Sequence, residues 1–267
     1  MYIFLIILAV VISLLVYMYI EAGWLKVSRL DFTKSSKGLK VLHISDIHIN
    51  MLRVGADRVK EVIRQENPDI LLITGDYVEK PVHASQFLDF LQKIKQSGKT
   101  YVCLGNHDYK AYRGQMKGLE TFIREIRSMH VEVLINSSVH IEKDSSSYDL
   151  IGIDDLRLGS PDIEKAIQGC TRDATKIVFS HNPDLVLQLS REHADYFFCG
   201  HFHGGQMWMP FHLEFILLRK DKLCRMGIKR GLHKVNGINV YINRGLGNVV
   251  VPFRFLSRPE ISIYNIP

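Results

Sequence analysis

The sequence lacks the cysteine spacing that crosslinks small secreted domains or binds structural zinc. Its four cysteines, Cys103, Cys170, Cys199 and Cys224, include no Cys-x-x-Cys pair and lie mostly in apolar stretches. This pattern favours buried thiols in a reducing compartment over a disulfide framework. Repeats and low-complexity tracts are absent too. With 267 residues and 46% hydrophobic side chains, the chain has enough apolar material for one full hydrophobic core.

The N-terminal stretch from Tyr2 to Ile20 lacks charged side chains altogether. As a helix it would span roughly 28 Å, about the thickness of one hydrocarbon core. A cleaved signal peptide, the alternative, would have a basic start and a shorter apolar run, and no Lys or Arg precedes this one. We therefore predict a retained transmembrane anchor over residues 1–24.

Positive charge follows the apolar run, with a juxtamembrane linker predicted over 25–38 and a globular domain over 39–267. Because Lys and Arg are enriched on the cytoplasmic side of a membrane, we predict a single-pass protein of the cell membrane whose domain is cytoplasmic. The net charge of +6 favours anionic partners. Nucleic acid is not expected, because no stacking aromatics are interleaved with the cations. The cations after the anchor are Lys26, Arg29, Lys34, Lys37 and Lys40.

Short apolar runs alternate with amphipathic stretches after the linker, which is typical of an α/β fold. We predict two packed mixed β-sheets flanked by α-helices, with the later strands in the second sheet. The predicted helices cover 53–65, 85–96 and 118–129. The predicted strands cover 39–45, 69–74, 100–104, 176–179, 196–199, 239–243 and 260–264, with three more between 131 and 153.

Polar side chains follow five of these strands, at the point where each strand ends. One such residue alone is more often a turn former or a helix cap. Five strand ends with carboxylate, amide and imidazole groups are better explained by a shared metal site. The groups are Asp46-Ile47-His48, Gly75-Asp76, Gly105-Asn106-His107-Asp108, Ser180-His181 and Gly200-His201-Phe202-His203.

Mixed nitrogen and oxygen ligands suit Mn, Fe, Zn or Co better than Ca, which prefers oxygen alone. The lack of cysteine ligands argues against structural zinc. The site is therefore predicted to be catalytic, with Mn as the leading candidate.

The ordered set of motifs resembles the calcineurin-like metallophosphoesterase family over most of the chain after the anchor. Gly204-Gly205-Gln206, the stretch 243–247 and Arg258-Pro259-Glu260 resemble its membrane-associated bacterial branch. The resemblance implies a four-layer fold of two sheets between helices. It also implies a hydrolase that cleaves a phosphodiester or pyrophosphate bond with a hydroxide bound to two divalent metal ions.

Carried over residue by residue, the resemblance implies two metal sites that share one carboxylate. Asp46, His48 and His203 would bind one ion, Asn106, His181 and His201 the other, and Asp76 would bridge them. His107 is predicted to protonate the leaving group or to screen its charge. Asp108 is predicted to orient His107, with a simple turn cap as the alternative.

The substrate is less constrained by the sequence. The apolar stretch Met207 to Phe211 is predicted to be a wall for an acyl chain or a membrane-facing surface, or else to close the second sheet. The basic cluster Arg219 to Lys234 is predicted to bind phosphate or anionic lipid, or else to be solvated. A lipid-linked nucleotide such as UDP-2,3-diacylglucosamine is one predicted substrate. The alternatives are a tethered phosphodiesterase or phosphatase for soluble nucleotides or phosphoproteins and, least favoured, a non-catalytic metal scaffold; protein partners are not indicated.

Overall fold

The first β-sheet of the computed structural model, which describes residues 1–33, 38–96 and 98–267, has six strands. Their spatial order is β1-β12-β2-β3-β4-β5, and every neighbouring pair is parallel except β12 with β2. All residues of β2 except Lys40, and all of β3 and β4, are buried, as expected of strands covered on both faces. The strands are β1 (Lys26–Asp31), β2 (Leu39–Ser45), β3 (Ile70–Thr74), β4 (Thr100–Cys103), β5 (Glu132–Val133) and β12 (Glu260–Ile266).

The second sheet also has six strands, in the order β10-β11-β9-β8-β7-β6. Its four central strands are parallel, and the hairpins add an antiparallel strand at each edge. The strands are β6 (Ser137–Lys143), β7 (Ser146–Gly152), β8 (Thr175–Phe179), β9 (Tyr196–Cys199), β10 (Gly231–Val235) and β11 (Ile238–Ile242). The prediction of two mixed sheets flanked by helices is confirmed.

The two sheets pack face to face through one apolar cluster. Phe198 of the second sheet stacks on Tyr264 of the first, with ring centroids 4.0 Å apart. Leu72 and Phe179 are fully buried in the same cluster. Since the parallel strands of each sheet end at the same side, the loops that follow them converge at one edge of the sandwich.

Helices cover the outer face of each sheet. On the first sheet, α2 buries Val59, Val62 and Ile63, which recur on one helical face, and ends at Asn67 in a left-handed conformation with φ 44°. The first sheet carries α2 (Ala56–Glu66), α3 (Ala84–Ile94) and α5 (Met116–Ser128). The short α4 (Asn106–Ala111) follows β4, and α6 (Ile163–Ile167), α7 (Leu213–Leu218) and α8 (Lys222–Arg225) lie with the second sheet.

Two strands are placed differently from the prediction. Residues 26–31, predicted as linker, form the edge strand β1, because β12 offers them a parallel partner from Lys26 opposite Glu260 to Asp31 opposite Asn265. The rest of that prediction includes 34–37, which lie outside the described residues. The last strand, expected in the second sheet with its neighbours in sequence, instead inserts between β1 and β2 of the first.

The N-terminal helix α1 (Tyr2–Glu21) is the one helix among the described residues that is long and apolar enough to cross a membrane. An 18-residue stretch of this helix has a mean hydropathy of 3.0, and none of its residues is buried. The helix does not end free of the domain, however. Glu21 is buried, and its carboxylate accepts hydrogen bonds from the backbone N–H groups of Leu256 and Ser257, both at 2.9 Å.

Candidate metal centre

The loops after β2, β3, β4, β8 and β9 meet at one edge of the sandwich, and the seven predicted ligand residues are all buried there. Six of them form two groups of converging donor atoms, and Asn106 lies outside both groups. Two atoms bound at right angles to one ion at about 2.1 Å are about 3.0 Å apart. Spacings close to this value therefore mark positions where a cation fits.

The first group combines Asp46, His48 and His203. His203 Nε2 lies 3.2 Å from Asp46 Oδ1 and 3.2 Å from His48 Nε2. Burial lowers the pKa of His203 to about 4. Its imidazole is therefore neutral at pH 7, and a neutral ring nitrogen can bind a cation.

The second group combines Asp76, His181 and His201. His181 Nε2 lies 3.1 Å from Asp76 Oδ2 and 3.1 Å from His201 Nδ1. Burial lowers the pKa of His201 to about 3. Burial also opposes a charge on His181, but Asp76 and Asp46 outweigh it and raise the pKa to about 10. The same carboxylates would stabilise a metal cation at this place.

Asp76 lies between the two groups. Its Oδ2 is 3.6 Å from His48 Nε2 and 3.1 Å from His181 Nε2. Its Oδ1 accepts a hydrogen bond from the backbone N–H of His107 at 2.8 Å. One carboxylate oxygen is thus positioned to be shared by two ions.

Asn106 has a buried side-chain oxygen with no hydrogen-bond partner among the described residues. A buried polar atom without a partner costs free energy, so it needs an explanation. A metal ion bound beside Asp76 and His181 would supply the missing partner. Together with the two donor groups, this atom shows that the residues fit a pair of divalent ions.

The backbone at this edge is held in a rarely used conformation. Five of the seven predicted ligands have positive φ, namely Asp46, His48, Asp76, His201 and His203, with values from 38° to 69°. Non-glycine residues adopt this region infrequently, and such residues cluster at functional sites where the surrounding structure enforces them.

Two glycines permit the close approach of neighbouring loops. A Cβ at Gly105 would lie 2.2 Å from Asp76 Oδ1, and a Cβ at Gly200 would lie 1.8 Å from Ser45 Oγ. Any side chain at either position would displace a ligand-bearing loop.

The sequence prediction missed Glu79, which joins the predicted ligand His48 to His107, the predicted acid. Its carboxylate accepts hydrogen bonds from His48 Nδ1 and His107 Nδ1, both at 2.8 Å. Burial lowers the pKa of His107, but Glu79 and Asp76 outweigh it and raise the pKa above its ordinary value. The available signal was its position in the same strand-end loop, three residues after Asp76.

Asp108 does not orient His107, contrary to the prediction. Its carboxylate instead accepts hydrogen bonds from four backbone N–H groups at 2.8–3.2 Å, those of Gly105, Asp76, Tyr77 and Val78. This fits the alternative of a turn cap, here one that joins the loops after β3 and β4. The partner of His107 is Glu79, because the Asp108 oxygens point back into the backbone.

The sequence prediction also missed Asp221, which is buried beside His201. Its Oδ1 lies 3.7 Å from His201 Nε2 and accepts a hydrogen bond from Arg157 at 2.7 Å. Asp221 stands within the predicted basic cluster, twenty positions after His201, and no local pattern distinguishes it. The cluster is also not uniformly solvated, since Arg230 donates to the Gly204 carbonyl at 3.2 Å.

The apolar stretch Met207 to Phe211, which follows Gly204 and Gly205, lies beside the site. Trp208 is 36% exposed and Phe211 is 88% exposed. The backbone N–H of Trp208 donates to the carbonyl of Phe255 at 2.8 Å, so this stretch lies along residues 253–255. It therefore does not simply close the second sheet. Contact of this stretch or of the basic cluster with a substrate stays a prediction.

Comparison with known proteins places this architecture in a family. A model of the calcineurin-like phosphoesterases matches residues 39–205, more than half of the chain. The chain is similar to the uncharacterized metallophosphoesterase YkoQ of Bacillus subtilis, with 30% identity over 252 residues covering 92% of this chain and 90% of the relative. It is 29% identical to the phosphodiesterase YaeI of Escherichia coli, covering 93% and 90%.

A third relative is the UDP-2,3-diacylglucosamine pyrophosphatase LpxG of Chlamydia muridarum, 28% identical over 301 residues that cover 92% of this chain and 90% of the relative. The chain belongs to the calcineurin-like phosphoesterase family and is a metal-dependent phosphoesterase.

Proposed function

We propose that this calcineurin-like phosphoesterase hydrolyses a phosphodiester or pyrophosphate bond in a lipid-linked substrate and is anchored in the membrane by α1. The observation that carries the proposed chemistry is the position of Asp76 Oδ2 between the two ligand groups, 3.6 Å from His48 Nε2 and 3.1 Å from His181 Nε2. The pair His107 and Glu79 lies directly beside it.

The proposed ligands follow the two groups. Asp46, His48 and His203 would hold one ion. Asn106, His181 and His201 would hold the other, and both ions would share Asp76. The mixed nitrogen and oxygen donors favour Mn, with Fe, Zn or Co as alternatives. When bound, such a pair supplies a water of lowered pKa and positive charge that stabilises in-line displacement at phosphorus.

His107 is proposed to protonate the leaving oxygen. Its Nδ1 is fixed by Glu79, which leaves Nε2 to donate the proton. Glu79 and Asp76 raise its pKa, which favours the cationic form that can donate a proton. The side chain is 18% exposed, so it can reach a substrate while Glu79 holds its orientation.

A lipid-linked substrate is supported by the apolar helix α1 and by the relative named as a UDP-2,3-diacylglucosamine pyrophosphatase. A tethered enzyme for soluble nucleotides or phosphoproteins is the second candidate, because the Escherichia coli relative is named only as a phosphodiesterase. The rate on a lipid pyrophosphate in mixed micelles, compared with the rate on a soluble nucleotide diester, separates the two candidates.

The domain is proposed to lie on the cytoplasmic side. The support is the excess of cations after α1, although Arg29 and Lys40 both pair with Glu66 and their charge is partly neutralised. Lys34 and Lys37 lie outside the described residues. A periplasmic-type alkaline phosphatase fused to the C-terminus should be inactive in cells; an active fusion would place the domain outside.

The experiment that tests the chemistry uses the full chain in detergent with bis(p-nitrophenyl) phosphate. Chelation should abolish hydrolysis, and Mn should restore it. His107→Ala should lower kcat by about 100-fold or more, the usual contribution of a positioned acid. The matched control is His140→Ala, which changes a half-exposed histidine on β6 outside the site. Metal-independent hydrolysis, or full activity in His107→Ala, would contradict the proposal.

A further inference from the structure

The end of α1 is built into the loop that supports the metal centre. Beyond the two hydrogen bonds accepted by Glu21, the backbone N–H of Arg254 donates to the carbonyl of Met18 at 3.0 Å. Tyr17 packs edge-on against Phe255 with ring centroids 6.1 Å apart, and Tyr19 packs against Phe253 at 6.2 Å. The segment 253–257 is therefore level with the last turn of the helix.

The same segment contacts the metal-ligand loop. Ser257 Oγ donates to the carbonyls of His203 and Gly204, at 3.1 and 3.2 Å. The Gln206 side-chain amide donates to the carbonyls of Val249, Val251 and Phe253 at 2.9–3.2 Å. A few residues earlier, Gly247 N–H donates to the carbonyl of Asp46 at 2.7 Å. The metal centre and the helix end are thus separated by a single loop.

That loop carries exposed apolar side chains in an unusual backbone conformation. Val250 is 81% exposed with φ 67°, and Leu256 is 50% exposed with φ 53°. Phe211, after Trp208, is exposed with φ 56°. Exposed turns in water use Gly, Asn or Asp at positive φ, and a β-branched residue there is an outlier. Apolar residues in these places indicate that their surroundings are not water.

The position of the helix defines what those surroundings are. A helix of 20 residues spans about 30 Å, the thickness of a hydrocarbon core. A segment level with its last turn then lies at the boundary between headgroups and acyl chains, where aromatic and apolar side chains are stable. Arg53 and Arg258 stack on Tyr19 and Trp24 at 3.5 and 4.1 Å, which places cations at the same level.

We propose that Trp208 and residues 249–256, here called the lip, insert into the bilayer interface beside α1 and hold the metal centre against the lipid headgroups. This inference rests on the proposed anchoring by α1 and specifies its consequence. The partner is a lipid surface, and the favoured substrates are phosphate esters whose phosphorus stands in the headgroup layer.

The chain has two tryptophans, and they provide the test because one reports on the anchor and the other on the lip. The full chain is placed in nanodiscs of phosphatidylcholine and phosphatidylglycerol whose acyl chains are brominated near the headgroup. Trp24→Phe leaves Trp208 as the reporter, and Trp208→Phe leaves Trp24. The control is Trp24→Phe/Trp208→Phe/Met116→Trp, which places the reporter at the exposed start of α5, the helix that contacts β5 at the edge of the first sheet opposite β1.

Bromine should reduce the fluorescence of both native tryptophans by about twofold, as expected for side chains in the interface, and should leave the control unchanged. Quenching of Trp24 without quenching of Trp208 would overturn the insertion of the lip and would support the anchoring by α1. Quenching of neither would overturn the anchor and the lip together.

A second measurement uses Val250→Asn/Leu256→Asn, since Asn tolerates positive φ and the fold should be kept. We expect the hydrolysis of hexadecyl p-nitrophenyl phosphate in nanodiscs to fall by about tenfold, in line with loss of apolar insertion. Hydrolysis of the soluble diester should stay unchanged. Equal rates of the variant and the native chain on the hexadecyl ester would overturn the lip. Two chains per disc without quenching of Trp208 would show that a second copy of the chain covers the lip. That result would also overturn the insertion of the lip into lipid.

If the native chain hydrolyses neither ester with any metal, the proposed function fails, while the fluorescence still decides the lip.

Discussion

In the candidate metal centre, the loops after β2, β3 and β4 (the first half) and the loop after β9 (the second half) differ in how their histidines are held. In the loops of the first sheet, His48 is fixed through its outer nitrogen by Glu79 at 2.8 Å. In the loop after β9, the outer nitrogen of His203 is buried with no hydrogen-bond partner in the described part of the chain, and that of His201 is 3.7 Å from Asp221. The histidine of the first half is pre-organised by a hydrogen bond from its ring, whereas the outer ring nitrogens of the second half have no partner at that distance among the described residues.

The second half is held through its backbone carbonyls. Ser257 donates to the carbonyl of His203, and Arg230 donates to that of Gly204. Ligands oriented by firm outer contacts bind metal more tightly than those without them. The difference therefore implies that bound metal orders the second half more than the first, and four predictions follow from it in order of expected effect.

Asp76→Asn should cause the largest loss, because the Asp76 carboxylate lies between the two ligand groups. Replacing a shared carboxylate with an amide weakens both sites, and we expect kcat for bis(p-nitrophenyl) phosphate to fall by about 1,000-fold or more. The control is Asp149→Asn, which changes an equally buried carboxylate paired with His140. Bound metal is counted by elemental analysis. Two ions retained with kcat within tenfold of the native value would refute the shared role.

Glu79→Gln should break the support of the first half. The neutral side chain can hydrogen-bond only one of the two histidines as an acceptor, and it removes the charge that raises the pKa of His107. We expect kcat to fall by about 100-fold, a typical loss when an acid is no longer positioned, while both ions remain bound.

The control for Glu79→Gln is Glu61→Gln, a surface change on α2 that leaves the site intact. An unchanged kcat would show that His107 needs no partner. Loss of one ion would instead assign Glu79 a larger role at His48 than at His107.

The loops of both halves could be predicted from the sequence because each one begins where a buried strand ends. The pairing of Glu79 with His107 could not be predicted, because it joins two loops that only the folded sheet brings together. Asp221 lies within a run of basic residues, so the sequence does not distinguish it. Its contact with His201 depends on the fold of the chain between β9 and α8.

The strand β1 was missed for a related reason. Its cations indicate a linker, and its place in the sheet depends on β12, more than 200 residues later. The ligand assignments and the role of His107 stay predictions, supported by the distances between their atoms.

Asp221→Asn should weaken the second half by a smaller amount. The amide keeps the shape but removes the charge facing His201, and we expect the affinity for one of the two ions to fall by about tenfold. At saturating Mn the value of kcat should be nearly native, which distinguishes this change from Glu79→Gln. Isothermal titration of the chelated protein measures the affinity.

The control for Asp221→Asn is Asp195→Asn, an acid before β9 that contacts no ligand residue among those described. Equal affinity in Asp221→Asn and the native chain would mean that the 3.7 Å contact contributes nothing to metal binding.

Apart from the loss of hydrolysis, chelation should produce a small and local change in the stability of the fold. If bound metal orders the loop after β9, then its removal should speed amide hydrogen exchange by about tenfold in residues 200–206, since exchange reports local opening. Residues 45–48 should change by less, because His48 remains bonded to Glu79 and the Gly247 N–H still donates to Asp46. Strand β3 provides the internal control, as its five residues are buried. Equal acceleration in both loops would show that the two halves are ordered together, and that the difference in their hydrogen bonds has no consequence for stability.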